Sequence, residues 1–178
     1  ASKADVKLIT NSSGDVSVTS VKASQSASML ANSSGDVKAG KVLSASISVV
    51  STSSGDVKAG NVSADNAIVE SRSSGDVSVD DLISDVVTVR AVSSGDIIVA
   101  GKGRTVQITS GSTSEVKAKG FKAMDLTVEA SSSGEVECYA VRKLDATCTS
   151  TMAEINCYSK PGMVTKRGAY TENIKTGR

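Results

Sequence analysis

Ser12-Ser13-Gly14-Asp15-Val16 is the stretch that decides the fold, because it returns along the chain at a nearly constant spacing. The same five residues occur at 33–37, 53–57 and 73–77, and the copy at 93–97 differs only in ending with isoleucine. Weaker copies follow at 112–116, 132–136 and 151–155. Successive acidic residues of these copies are 19 to 21 residues apart. A period near 20 residues is typical of repeat proteins in which similar short units stack on one another.

Within each unit, apolar and polar residues alternate, as they do in a strand with one buried face. Val57 and Ala59 flank Lys58, for example, and Ala67 and Val69 follow in the same unit. Equivalent positions of successive units form columns of mainly β-branched residues, which favour a stacked sheet surface. One predicted column consists of Val16, Val37, Val57, Val77, Ile97, Val116, Val136 and Ile155, and a second of Met29, Val49, Val69, Val89, Ile108 and Val128.

The units predict an all-β fold in which each repeat makes one turn of a coil. Every copy uses the same inward positions, so neighbouring copies are expected to pair in parallel and not as hairpins. We predict a parallel β-helix, or β-solenoid, of about eight coils of about 20 residues, with two short strands per coil and two main parallel sheets. The strands are expected to break at the Gly-Asp turn and again near Gly60-Asn61.

We expect one solenoid domain over residues 1–178. Regular coils are predicted over 1–155, and an irregular closing segment over 156–178, in which 170–174 is a candidate for one more strand. The first strand is expected half a coil before the first turn, which leaves an uncovered edge on the N-terminal coil.

Composition limits the classes of function. Lysine and arginine total 20 against 19 acidic residues, and only 2% of residues are aromatic, so nucleic-acid binding is not expected. Histidine is absent, which removes Ser-His-Asp and Cys-His catalysis and most zinc sites. No apolar run long enough for a membrane span occurs, and no cofactor is expected. The N-terminus shows no hydrophobic signal segment, so we expect that a signal was removed or that the chain is a fragment.

The repeated turn has two candidate roles. Glycine can adopt a positive φ at a tight corner, and serine and aspartate can accept hydrogen bonds from turn amides. A structural turn is therefore the favoured interpretation, and calcium binding by the stacked carboxylates is the alternative. The nonapeptide of the known calcium coils is not seen. The predicted structural glycines are Gly14, Gly35, Gly55, Gly75, Gly95 and Gly134, and the candidate calcium row is Asp15, Asp36, Asp56, Asp76 and Asp96.

The acidic row continues in the weaker copies as Glu115, Glu135 and Glu154. Stacking would place like charges about 4.8 Å apart, which costs energy. Lysines that follow two residues after the acidic residue, at positions 38, 58 and 117, are expected to offset this repulsion.

The C-terminal units carry the cysteines and two stacked tyrosines. Cys138 and Cys157 are predicted to point inward one coil apart, as buried free thiols, with a disulfide or a metal site as alternatives. The pattern does not set the direction of Cys148. Tyr139 and Tyr158 are predicted to point outward, either as paired aromatics that support the end of the rod or as a small surface contact for a sugar.

Three segments resemble a known family. Gly-Asp-Val-Lys-Ala-Gly at 35–40 and 55–60, the segment 126–136 and the closing segment 143–164 resemble the putative auto-transporter adhesin, head GIN domain family. The resemblance implies a pectate-lyase-like parallel β-helix without a preserved catalytic set, in secreted or cell-surface bacterial proteins with an inferred adhesion role. It supplies no functional residues to transfer.

The leading hypothesis is a non-enzymatic adhesion or structural protein that is secreted, periplasmic or at the cell surface. Its expected partner is a surface glycan or a host or matrix protein. The alternative is a self-assembling filament or envelope scaffold subunit that associates through the uncovered N-terminal edge. A polysaccharide-binding or polysaccharide-degrading β-helix is a lesser alternative, because the repeated turn carboxylates have identical neighbours whereas an acid–base pair needs different ones.

Overall fold

The computed structural model describes residues 4–177, which form a β-solenoid with almost no helix. Thirteen strands and one short 3-10 helix (η1) make up this part of the chain. The strands are β1 (Val6–Thr10), β2 (Val16–Lys22), β3 (Ser26–Ala31), β4 (Val37–Leu43), β5 (Ser46–Ser51), β6 (Val57–Ser71), β7 (Val77–Ala91), β8 (Ile97–Ser110), β9 (Glu115–Ala130), β10 (Glu135–Cys148), β11 (Glu154–Cys157), β12 (Met163–Arg167) and β13 (Ile174–Thr176), with η1 at Thr171–Asn173.

Equivalent residues of successive repeats lie side by side in parallel strands. Val57 pairs in register with Val77, and both side chains are buried. The first predicted column pairs in register from Val16 to Ile155 and then continues to Ile174, so there are about nine coils where the sequence predicted about eight. The second column is also confirmed from Met29 to Val128. The predicted all-β parallel solenoid is therefore correct.

The strand boundaries differ from the prediction in the middle of the rod. The early coils have two strands each, such as β4 and β5, but β6 to β10 run through the second predicted turn as single strands of 14 to 16 residues. Gly60 and Asn61 lie inside β6. Gly60 is half-buried and Asn61 is exposed, so the alternation of buried and exposed residues is interrupted there. Asn61 pairs with Asp81, so the ladder continues around the corner. The chain bends there without losing its backbone hydrogen bonds, which is why no turn is needed.

The core is a narrow aliphatic interior that extends along the rod. Val77, Leu82 and Ile97 are at most 1% exposed, and burial of each such side chain stabilises the fold by about 1.5–3 kcal/mol. The single phenylalanine, Phe121, is buried where Gly103 of the adjacent coil leaves room, since a Cβ on Gly103 would lie 3.1 Å from the ring. Small and β-branched side chains therefore fill the interior, as the near absence of aromatics requires.

The two ends of the described chain are sheet edges. Within residues 4–177, β1 pairs only with β3 and β2 pairs only with β4. At the other end, residues 171–173 form η1, so the last strand begins at Ile174, later than the predicted 170–174. No helix in the described part of the chain has the length and apolar character needed to cross a membrane.

Candidate functional site

The repeated turn forms a hydrogen-bonded ladder of aspartates. The backbone N–H of Asp36 donates to Oδ1 of Asp15 at 2.9 Å, and the N–H of Asp56 donates to Oδ1 of Asp36 at 3.0 Å. The same bond joins Asp76 to Asp56 and Asp96 to Asp76, at 2.8 Å each. Each carboxylate therefore accepts a hydrogen bond from the N–H of the equivalent residue one coil later. This N–H lies at a corner, and the side-chain oxygen serves as its acceptor in place of a main-chain carbonyl.

The turn glycines are explained by close approach and not by a positive φ, which corrects the expectation from the sequence. None of the six has φ in the left-handed region. A Cβ on Gly55 or on Gly75 would lie 2.3 Å from the carbonyl oxygen of the glycine one coil earlier. Stacked turns thus bring backbone against backbone, and only glycine leaves the space. Gly14 is different, because a Cβ there would meet nothing within 4 Å.

Buried hydroxyls close the same turns from the inside. Ser51 Oγ donates to the carbonyl oxygen of Gly55 at 2.7 Å, and Ser71 Oγ donates to that of Gly75 at 2.8 Å. Both serines are 0% exposed. A buried hydroxyl needs a partner, and here it satisfies a turn carbonyl that faces the core. The Ser, Gly and Asp of the repeat therefore hold one corner together by three different contacts.

The electrostatics of the aspartate row follow from these bonds. The N–H of Asp56 lowers the pKa of Asp36; burial acts against this, and Lys38 adds to the lowering. Lys38 pairs with Asp36 at 3.2 Å and Lys117 with Glu115 at 2.7 Å, as the sequence predicted. Lys58 instead reaches Asp80 at 3.7 Å. At Asp36, the hydrogen bond from the next coil is the largest single cause of the lowered pKa.

The candidate calcium row does not form a cluster. Residues 4–177 contain no group of three or more cysteines, aspartates or glutamates arranged to hold a metal ion. One oxygen of Asp15, Asp36, Asp56, Asp76 and Asp96 is used as an acceptor for a main-chain N–H. The arrangement places fixed acceptors along one corner of the rod.

The turns change from Ser112 onward. Ser112 and Ser132 adopt φ of 54° and 56°, a left-handed conformation that the earlier turns do not use. The amide of Glu135 donates to the carbonyl oxygen of Ser114, and that of Glu154 donates to the carbonyl oxygen of Gly134. Backbone carbonyls thus replace the carboxylates as acceptors, which leaves the glutamate side chains available for other partners.

Tyr158, one of the two predicted surface tyrosines, contacts Glu137, a glutamate outside the turn row, in the last coils. Tyr158 donates its hydroxyl to Glu137 Oε1 at 2.8 Å, and Lys119 pairs with Glu137 at 2.9 Å and lies 5.6 Å from the Tyr158 ring centre. These contacts, chiefly with Lys119 and Tyr158, outweigh burial and lower the pKa of Glu137. Tyr139 is half-buried and pairs with Lys122 across a register shift. Tyr158 is thus held in place by neighbours, and Tyr139 belongs to a separate pairing.

Glu135 lies beside this group and is the least compensated carboxylate of the row. Burial raises its pKa, and the charges of Glu115, Glu154 and Glu137 raise it further. Its hydrogen bond from the Asn156 side chain, at 3.4 Å, acts weakly in the other direction.

The three cysteines are buried free thiols. Cys138 pairs in register with Cys157, and both point inward as the sequence predicted. Cys148, whose direction the sequence left open, also points inward, with its sulfur 3.4 Å from the carbonyl oxygen of Ala153. The hydrogen bond to Cys157, together with burial, raises the pKa of Cys138. These thiols belong to the core and not to an exposed site.

A groove along the side of the rod is the main concave feature in the described residues. It has a volume of about 660 Å³, within the range of ligand pockets. We call it the axial groove because it runs from coil to coil, across the strands. Its buried floor is formed by short residues, namely Ser44, Ala64, Ser84 and Gly103. One wall consists of Leu43, Ser63, Ile83, Lys102 and Lys122, and the other of Asp65, Asp85, Arg104 and Met124, with Val141 at the end.

The sequence pattern did not predict the axial groove, because it indicates a turn near Gly60-Asn61 and assigns no role to residues 63–65, which line the groove. The strand register shows how the sequence could have indicated the groove. Ser63 pairs with Ile83, which pairs with Lys102, so one wall is a column of equivalent residues, as in the core. Exposed apolar residues in such a column, next to a column of short residues, would have indicated a groove.

Comparison with known proteins gives a family. A model of the putative auto-transporter adhesin, head GIN domain family matches residues 59–161, more than half of the chain. The chain belongs to this family. No curated protein and no solved structure is significantly similar to it.

The head GIN domain match covers the middle and the C-terminal coils. It includes most of the axial groove, from Ser63 to Val141, and also the group around Glu137 and Tyr158. The fully regular Ser-Ser-Gly-Asp turns at 12–15, 33–36 and 53–56 lie outside it. Membership in an auto-transporter adhesin family suggests a cell-surface or secreted location.

Proposed function

We propose that this chain is a non-enzymatic adhesion module that acts as a rigid rod at the cell surface or in the secreted fraction. The observation that carries the proposal is a continuous core joined to the aspartate ladder. Parallel pairing and apolar columns tie successive described coils together, and the ladder adds side-chain hydrogen bonds from Asp15 to Glu115. Such a rod keeps its outer side chains at a constant spacing of about 4.8 Å. A fixed surface of this kind suits binding without chemical conversion.

The family supports an adhesion role, and the chemistry of the rod surface fits it. The aspartates from Asp15 to Asp96 each accept the amide one coil later in the same way, whereas acid–base catalysis depends on groups with different pKa values in one pocket. We therefore propose a surface glycan or a host or matrix protein as the partner.

Binding of the purified chain to glycan and matrix-protein arrays tests the proposal. We expect saturable binding to members of one array, either the glycans or the matrix proteins. A folded Asp56→Asn variant should bind equally well if the partner contacts the rod surface outside the row of turn aspartates. Asparagine keeps the Oδ1 acceptor for Asp76 while it removes one charge, so the fold is preserved. Turnover of a bound glycan, or no binding to any member of either array, would contradict the proposal.

A second candidate is end-to-end self-association. In the described residues, β1 and β2 each have one unpaired edge, and Val6, Leu8 and Val18 beside them are only partly buried. Parallel strands at both ends would allow a head-to-tail contact, which repeats into a filament. Sedimentation velocity at rising concentration tests this: a constant sedimentation coefficient would reject it.

A further inference from the structure

The geometry points to the axial groove as a docking site for an extended peptide of about eight residues, with apolar ends and with cationic residues followed by anionic ones between them. This inference rests on the proposed adhesion function and names the partner chemistry of one surface.

The first argument is exposed apolar surface. Leu43, Ile83, Met124 and Val141 are each 41–44% exposed, although they lie beside a buried floor. Register places Leu43, Ile83 and Met124 at intervals of two coils, with Ser63 and Lys102 on the coils between them, and Val141 lies one coil beyond Met124. Apolar side chains therefore recur along the groove between polar ones, a composition that is common in ligand-binding grooves.

The second argument is charge order along the rod. Asp65 and Asp85 lie on two neighbouring coils, and Lys102, Arg104 and Lys122 lie on the next two. Asp65, Lys102 and Lys122 have no ion pair within residues 4–177. Arg104 and Asp85 are 3.9 Å apart and largely exposed, so that pair contributes little. A peptide whose cations face the aspartates and whose anions face the basic residues would be complementary to this order.

The third argument is an unused hydroxyl in the floor. Ser84 donates to the carbonyl oxygen of Asp65 or of Val86, at 3.1 and 3.0 Å. Ser44, at the corresponding position two coils earlier, is 7% exposed, and its Oγ has no hydrogen-bond partner among the residues that the structure describes. Buried hydroxyls are usually satisfied, so a polar group in the groove would complete the floor at this point.

The length and direction of the occupant follow from the register. Leu43 to Val141 spans about five coil steps of 4.8 Å, or about 24 Å, and an extended peptide covers this distance with about eight residues. The peptide would run across the strands, so it cannot add to the sheet as a further strand. Recognition would come from its side chains, which makes an aliphatic and charged peptide a better fit than a sugar, because no aromatic ring lines the groove.

Fluorescence anisotropy with two labelled peptides tests the inference on the full chain. The first, Leu-Lys-Val-Lys-Glu-Val-Glu-Leu, carries the complementary charge order. The second, Leu-Lys-Val-Glu-Lys-Val-Glu-Leu, has the same composition with interleaved charges. We expect saturable binding of the first and at least about tenfold weaker binding of the second. Equal affinity for both peptides, or no saturable binding of the first, would overturn the inference.

Matched variants locate the site. Ile83→Asp places a charge in the groove wall, and Ile68→Asp places one at a similarly exposed position on another face, since these residues are 43% and 47% exposed. With both variants folded by circular dichroism, Ile83→Asp should weaken binding of the first peptide about tenfold, and Ile68→Asp should leave it unchanged. Equal losses would show that the groove is not the site.

The same variants separate this inference from the proposed function. Array binding that survives Ile83→Asp, together with no binding of either peptide, would leave the adhesion function standing and remove the groove as its site. Peptide binding that depends on Ile83, with no binding to any array member, would support the groove as a peptide site and would contradict the proposed partners of the adhesion function.

Discussion

The early and late coils of the rod share one core, but their turns differ in backbone conformation and in the acceptors of their amide hydrogen bonds. From residue 12 to residue 97, each turn stacks on the last through aspartate side chains and closely packed glycines. In the later coils, Ser112 and Ser132 adopt a left-handed conformation, and the amides of Glu135 and Glu154 donate to main-chain carbonyls. Val57 and Val136 are nevertheless buried to the same extent, in one column. The comparison teaches that the columns define the fold and the turns are interchangeable.

The difference also explains why aspartate gives way to glutamate. Asp56 must reach the amide of Asp76 one coil away, and its short side chain holds the oxygen at 2.8 Å. Glu115 and Glu135 have no such task, since the amides one coil later, those of Glu135 and Glu154, donate to main-chain carbonyls. The longer glutamate side chains contact other partners: Glu115 pairs with Lys117, Glu135 contacts Asn156 and Glu154 pairs with Lys175.

The largest effect is expected from a charge in the shared column. Val57→Asp and Val136→Asp each bury an unpaired carboxylate at a position that is at most 1% exposed, so each should destabilise the fold by more than about 4 kcal/mol. Chemical denaturation followed by circular dichroism measures this. Val86→Asp, at a residue that is 43% exposed, is the control and should change stability little. If only one of the two core variants were unfolded, the column would not be a common framework.

The next largest effect is expected from replacing a turn glycine by alanine, and it should differ between stacked and unstacked turns. Gly55→Ala would place a Cβ 2.3 Å from the Gly35 carbonyl oxygen, where the backbone has no room to move. We expect a loss of about 2–3 kcal/mol in the free energy of unfolding. Gly14→Ala, with nothing within 4 Å, should stay within about 0.5 kcal/mol of the unchanged chain. Similar losses at both positions would mean that chain flexibility, and not stacking, explains the repeated glycine.

Sequence reasoning found the parts of this molecule that repeat. The register of Val57 on Val77 and the inward pairing of Cys138 with Cys157 both follow from a period that can be counted. The reason for the turn glycines could not be found in the same way, because a contact between Gly35 and Gly55 depends on how closely two coils approach.

The axial groove escaped sequence reasoning for a related reason. Whether Gly60 and Asn61 form a turn or a bend in β6 depends on pairing with both neighbouring coils, which no single repeat encodes. The calcium hypothesis and the surface role of Tyr139 and Tyr158 remain predictions for experiment. The structure adds only that Tyr158 is already hydrogen-bonded to Glu137.

A smaller effect is expected from the carboxylate ladder itself. Asp56→Ala removes the acceptor for the Asp76 amide and should cost about 1 kcal/mol. Asp56→Asn keeps the oxygen and should be nearly neutral. Glu135→Ala is the matched change in the late coils and should also be nearly neutral, because no amide depends on that side chain. Thermal denaturation of the three variants measures the order, and a loss in Glu135→Ala equal to that in Asp56→Ala would show that the two corners do not differ.

The smallest effect is a pH dependence of opposite sign in the two regions. The folded pKa of Asp36 is lowered below its ordinary value of about 3.9, so its stabilising contribution is present above that pH and is lost as the pH falls through the folded value. The folded pKa of Glu135 is raised above about 4.3, so ionisation at neutral pH destabilises the fold, and the penalty disappears below that value.

Two neutral variants separate these contributions. Asp36→Asn should be less stable than the unchanged chain at pH 7, with a difference that shrinks below about pH 4, whereas Glu135→Gln should be more stable at pH 7 and lose its advantage below about pH 4. Melting temperatures between pH 3 and pH 7 measure both curves. Each variant keeps the side-chain oxygen that accepts its hydrogen bond from the next coil, so the differences report the charge and, for Asp36→Asn, the pairing with Lys38 that depends on it. Curves of the same sign would mean that the aspartate ladder does not compensate its charges better than the glutamate row does.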